Sequence, residues 1–282
     1  MAYPVVAAPY GFKPINLIGG QVFAGSTRMF PIAYNYATAI NFGDLVDISG
    51  GSIITTTLAY NITSTAAAGR LGVFLGCTYT SPQTGQKMFS NSYPANTLAN
   101  DIMAYVEDDP DAIFKTVMVA YSTSAYASLL PVSQAYVNTN VCVNSASTPI
   151  NNNLVPANAT SAMAVQPQAS TNARAVGASP FRVVGLVPET AVVVPITGTT
   201  SSTTLTLTAA NSSLNVGMQV YGPGIFQGSY NYITAISGTA VTLANAVSTA
   251  QSTTASFTAV GYPEVLVKWN FGYHSYYNAA GL

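Results

Sequence analysis

The chain has 282 residues and a formal net charge of −1, and only 6% of its residues are charged, where an ordinary soluble domain carries roughly 25%. No Lys/Arg cluster is present to displace phosphate counterions, which argues against direct nucleic-acid binding, and no apolar run approaches the ~20 residues of a membrane-spanning helix. Strand-like segments of irregular length and spacing argue equally against an outer-membrane barrel.

The charge deficit is uneven. Nothing ionises at neutral pH from Thr116 to Ala173 or from Thr190 to Pro263, where Thr, Ser, Asn and Gln take the place of charged residues. Such a surface gives little colloidal repulsion and suits a subunit held among neighbours better than a free monomer.

In chain order, residues 1–20 read as an extended N-terminal arm. Pro4, Pro9 and Pro14 punctuate it and work against a continuous ladder or helix. Its apolar residues Tyr3, Val5, Val6, Tyr10, Phe12 and Ile15 are expected to lie in a groove on a partner, each burial being worth roughly 1.5 to 3 kcal/mol. The start, Met-Ala-Tyr-Pro, lacks the basic and apolar regions of a secretory signal, so synthesis and assembly in the cytoplasm are expected. Gly20 to Thr27 imitates a phosphate-binding loop but has Ser26 where the essential Lys belongs, and reads as a glycine-punctuated hairpin.

From there the periodicity is two. Arg70 to Tyr79, Ile102 to Glu107, Ile113 to Tyr121 and Tyr136 to Val143 are rich in β-branched and aromatic residues, and turn formers such as Ser81-Pro82-Gln83-Thr84-Gly85 separate them. The best helical segment is a short one, Ser124 to Leu130, stopped by Pro131. Asn144 to Asn158 reads as a long contact loop. The expectation is an all-β fold, a barrel or sandwich.

A compositional break follows Pro195. Residues 196–259 are rich in Thr, Ser, Ala and Gly, with short strands such as Thr203 to Thr208 and Ala240 to Leu243, and read as an inserted, projecting β module. The main β domain is then discontinuous, residues 21–195 plus 260–282, and the ends of the insert should lie close together.

Chemistry has few candidates. Glu107, Asp108, Asp109 and Asp111 gather in what reads as an acidic turn, without the register of a helix-loop-helix calcium site. Asp44 and Asp47 read as strand-end polar residues. His274, the single histidine, lies in a terminal aromatic cluster with no recognisable nucleophile or orienting carboxylate, and reads as a packed residue. Cys77 and Cys142 read as buried thiols, with a bridge between them left open. No catalytic residue, metal or cofactor is implied, and the expectation is a structural protein and not an enzyme.

Tyr3 to Gln21, Gly72 to Tyr79, Tyr105 to Phe114 and Glu264 to Tyr276 together resemble the head structural proteins of marine tailed phages. Leu214 to Ile225 and Ile233 to Leu243 resemble a small β module of phage surface proteins. The resemblance implies a capsid decoration, or cement, role on the outer surface of the virion head, with the major capsid protein and copies of the same chain, as a homotrimer, for partners. Two alternatives stand. One is another virion component, a major shell or tail subunit, against which the lack of a long spine helix counts. The other is host or glycan attachment through the insert, with Tyr221, Phe226, Tyr230 and Tyr232 exposed for stacking on sugars or buried in the small core of the module.

Overall fold

The computed structural model of the chain describes residues 6, 9–17, 23, 25–56, 70–118, 140–144, 161, 163–167, 180–190, 193–225, 231–261, 263–270 and 274–277. The expected helix at 124–130 and nearly all of the expected loop at 144–158 lie outside these residues. The fold is all-β, and every strand pairing in its sheets is antiparallel.

The first ten strands are β1 (Lys13–Leu17), β2 (Arg28–Pro31), β3 (Ile40–Asn41), β4 (Leu45–Ser49), β5 (Ser52–Thr55), β6 (Arg70–Thr80), β7 (Lys87–Ser90), β8 (Ser92–Tyr93), β9 (Met103–Glu107) and β10 (Ala112–Val117). There follow β11 (Asn140–Asn144), β12 (Ala164–Pro167), β13 (Phe181–Val187), β14 (Val193–Ser201), β15 (Thr204–Leu207) and β16 (Gln219–Tyr221). The last are β17 (Ile233–Ser237), β18 (Ala240–Leu243), β19 (Gln251–Val260) and β20 (Glu264–Trp269).

Sheet one has the order β1-β10-β20-β13-β11-β12, and sheet two β2-β9-β6-β4-β5, with β7 on the second half of β6. Strands β3 and β8 make a two-stranded ribbon. The β14 to β19 strands form sheet three, in the order β16-β19-β14-β15-β18-β17.

Sheets one and two share a core. Val265, Val267 and Trp269 alternate along β20 toward it, as period-two patterning requires, and they meet Leu45 and Val73 from sheet two. At its centre Phe12 stacks on Phe181 with ring centroids 4.8 Å apart, and Phe181 lies 4.2 Å from Trp269. Phe114 meets all three rings edge-on, an arrangement favoured by the ring quadrupole. The opposite face of sheet two packs Phe74, Cys77, Ala104 and Val106 on Ile40 and Tyr93 of the ribbon. Sheet three has its own cluster, around Leu205, Met218, Val220, Val241 and Phe257.

One expectation needs correction. Residues 13–17 of the arm are a paired strand: β1 forms a ladder with β10, bulged between Pro14 and Asn16. Sheet edges tolerate proline because one side of the strand has no partner, which is where β1 sits. Gly20, Gln21, Val22 and Ala24 of the expected hairpin lie outside the described residues; beyond them the Phe23 amide donates to the Ile15 carbonyl at 3.2 Å, and β2 joins a different sheet from β1.

The first strand of sheet three also starts before the expected boundary, since β14 runs through Pro195 and pairs Val193 with Val260. The two ends of this stretch are thus neighbours in one ladder.

Phe12 reaches the core through a close backbone crossing. Gly11 has a φ of +79°, and a Cβ there would lie 2.5 Å from the Gly43 carbonyl oxygen, so only glycine fits. Replacing Phe12 by Ala opens a cavity against Phe114 and Phe181. The expected loss is about 3 to 5 kcal/mol of unfolding free energy, read from urea titration; a loss below about 1 kcal/mol would show that the arm does not complete this core.

Candidate functional site

The residues expected to contact a partner are divided by the structure. Tyr3 and Val5 lie outside the described residues. Val6 is half-buried against Val117 and Ala164, together with Tyr10. The Tyr10 hydroxyl donates to the Glu264 carboxylate, which Lys115 also meets at 3.1 Å, and the Lys13 ammonium sits 4.1 Å above the Tyr10 ring. Burial first, and then the Glu264 carboxylate, hold the Tyr10 phenol far above its ordinary pKa. Ile15 is half-buried on β1. Phe12 is fully buried, which removes it from any surface role and corrects the expectation for that residue. The described part of the arm docks on its own chain, because its aromatics complete sheet one.

The insert residues divide similarly. Phe226 and Tyr230 lie outside the described residues. Tyr232 is 4% exposed, so the reading of it as an exposed sugar platform is wrong: it is a buried residue of sheet three. The Tyr221 ring is half-buried and its hydroxyl donates to Gln219.

The acidic turn joins β9 to β10 and ties three parts of the chain together. Asp108 accepts from the Arg28 guanidinium, including Nε at 2.6 Å, and from the Tyr276 hydroxyl. Asp111 pairs with Lys268 at 2.6 Å. His274 is fully buried, edge-on to Trp269 at 5.4 Å and to Tyr276 at 4.9 Å, and burial lowers its pKa. Among the described residues no group of three or more His, Cys, Asp or Glu side chains is placed to hold a metal ion. Asp44 accepts from the Asn41 amide and Asp47 from the Thr56 hydroxyl, and burial raises both carboxyls. The thiol of Cys77 is buried and pushed up to about 11, a poor nucleophile at neutral pH.

One surface was not read from the sequence. The register places Pro31, Met103, Thr78 and Phe89 side by side across β2, β9, β6 and β7, and Met29 beside Tyr105 in the next row. Directly paired residues share a sheet face, and so do residues two apart on one strand, so these six lie on the same face. Phe89 is 74% exposed and Met29 50%, while Met103 and Tyr105 are half-buried and Thr78 is buried. The inner end of this face, at Leu45 and Val73, is covered by sheet one, whereas at the outer end Met29 and Phe89 are exposed. The available signal was the failure of alternation in Arg28-Met-Phe-Pro31 and Lys87-Met-Phe-Ser90, which are apolar on both faces.

No family profile, curated protein or solved structure matches the chain.

Glu107 is buried where the covered and bare ends of this face meet, and its Oε2 has no hydrogen-bond partner among the described residues. Burial first, with repulsion from Asp109 and Asp108, raises its pKa from 4.5 to about 7, against the opposing bond from the Asp109 amide. An acid that holds its proton more tightly when folded favours folding while protonated, so its contribution is lost as pH rises from 4.5 to about 7. Glu107→Gln should flatten the decline in urea midpoint across that window. Asp44 and Asp47 stay in place in the variant, so a slope as steep as in the wild type would assign it to them.

Proposed function

We propose that the chain is a virion structural protein, a decoration subunit that binds the outside of a tailed-phage head and stabilises contacts between capsomers. The observation that supports this best is the bare apolar face of sheet two, from Met29 to Phe89. Large apolar side chains grouped on one face mark contact surfaces, and this one extends an internal sheet-to-sheet contact outward. The scarcity of charge agrees with it: an assembled subunit needs little repulsion between copies and meets little desolvation penalty on contact.

In this reading the contact needs no covalent chemistry. Phe89 and Met29 enter apolar recesses on the major capsid protein, and copies of the chain associate as a trimer around each site. The arm has a different part from the one first expected, because Tyr10 and Phe12 hold the subunit together. Residues N-terminal to them, Tyr3 and Val5 included, are the portion of the arm assigned to the shell.

The test is rebinding to phage heads assembled without the chain, followed by sedimentation. Both Phe89→Asp and Met29→Asp change exposed positions, so the fold should persist, and each should weaken binding at least tenfold, the equivalent of about 1.4 kcal/mol. Heads carrying the wild-type chain should withstand a higher temperature before releasing DNA. If heads bind the chain without any gain in thermal or chemical resistance, the cement role is wrong. If neither variant weakens binding, the contact surface is wrong.

A further inference from the structure

Sheet three carries an open groove of about 450 Å³ along one edge of β14. Its origin is a mismatch of strand lengths. Strand β14 pairs with β19 from Val193 to Thr200, but with β15 only from Gly198 to Ser201. Beyond Thr208, whose amide makes the last bond to β14, the chain leaves the ladder, and residues 208–212 line the groove.

The exposed backbone edge has an unusual hydrogen-bonding character. Thr208 donates to the Thr197 carbonyl from both its amide, at 2.9 Å, and its hydroxyl, at 3.3 Å, so that carbonyl points toward the β15 side. Strand alternation aims the carbonyl two residues earlier, on Pro195, the same way and into the groove. Proline has no N–H to accompany it. The edge therefore offers an acceptor without the matching donor, and a peptide strand cannot add there with a full ladder.

The side chains around this edge are hydroxyls and an amide. Thr197 and Thr208 touch through their Oγ1 atoms at 2.7 Å, and Ser256, Thr258, Asn211 and Ser212 complete the polar lining above an apolar floor. No residue from Thr190 to Pro263 ionises at neutral pH. A charged ligand would lose hydration in the groove without gaining a countercharge. A ligand with many O–H donors and no charge matches both the acceptor edge and the hydroxyl lining.

We propose that this groove binds an uncharged glycan, through hydroxyl and carbonyl contacts. The site replaces Tyr232, which is buried, as the sugar-contacting part of the module. It gives the subunit a second activity, surface attachment, and it is independent of the shell contact because the two surfaces lie on different sheets.

The experiment is an array of uncharged gluco-, galacto- and manno-configured oligosaccharides printed beside sialylated and sulfated ones, with calorimetry on the best binder. The full chain should bind at least one uncharged class and none of the acidic ones. Ala210→Trp, on the exposed wall, should fill the groove and weaken binding at least tenfold. Thr208→Val removes the hydroxyl with little change of shape and should weaken it by about tenfold, the loss of one or two hydrogen bonds. Thermal unfolding of both variants identifies any that fails to fold, and Phe89→Asp should bind glycan like the wild type. Failure to bind any uncharged glycan, a preference for acidic ones, or full binding by folded Ala210→Trp would each overturn the proposal, while head rebinding would still report on the shell contact separately.

Discussion

The insertion of Phe12 between Phe114, Phe181 and Trp269 is the contact on which the rest of the main body depends. Each ring comes from a different part of the chain: the N-terminal segment, β10, β13 and the late strand β20. Sheet one is thus assembled from sequence that lies far apart, with β20 between β10 and β13. Such contacts repay loop-closure entropy only once several have formed together, so the aromatic group and the sheet should form cooperatively. The bare face of sheet two has its position fixed by the same event, since its inner end is covered only when sheet one closes over Leu45 and Val73.

Charge is scarce, and where it occurs it joins separate segments. The Glu264 carboxylate gathers Tyr10 and Lys115, Asp108 gathers Arg28 and Tyr276, and Asp111 holds Lys268 of β20. Arg28 and Asp111 are more than half exposed, so these pairs contribute little stability by attraction alone. The Asp108 and Glu264 carboxylates are 10% and 6% exposed, so a docking of the N- and C-terminal segments that brings them donors is favoured over one that leaves them unpaired.

Much of this was legible from residue order. Period-two runs placed β6, β9 and β10 within a few residues, because each has one face in a core and carries β-branched or aromatic residues there. The arm was misread for a physical reason: proline patterning reports what a segment cannot do in the middle of a sheet, and β1 sits at an edge. Tyr232 was open to two readings, since an aromatic beside glycine-rich turns is compatible with a sugar platform or a small core, and only the register of sheet three places it inside. The bare apolar face was hidden because its residues come from four strands, 29–31, 76–78, 89 and 103–105, and become neighbours through pairing alone.

The two proposed surfaces would obey opposite rules. An apolar face such as Met29 and Phe89 gains by excluding water from any apolar partner and is promiscuous unless its mate has a matching shape. A groove rimmed by hydroxyls selects by hydrogen bonding, and its proline-blocked edge refuses a β-strand because it cannot complete the ladder. Under the proposed function, sheet three faces solvent while the Met29 and Phe89 face of sheet two is the one drawn into contact. The proline at position 195 lies beyond the end of the β14–β15 pairing and leaves that edge short of one donor, so another chain cannot supply a full ladder there.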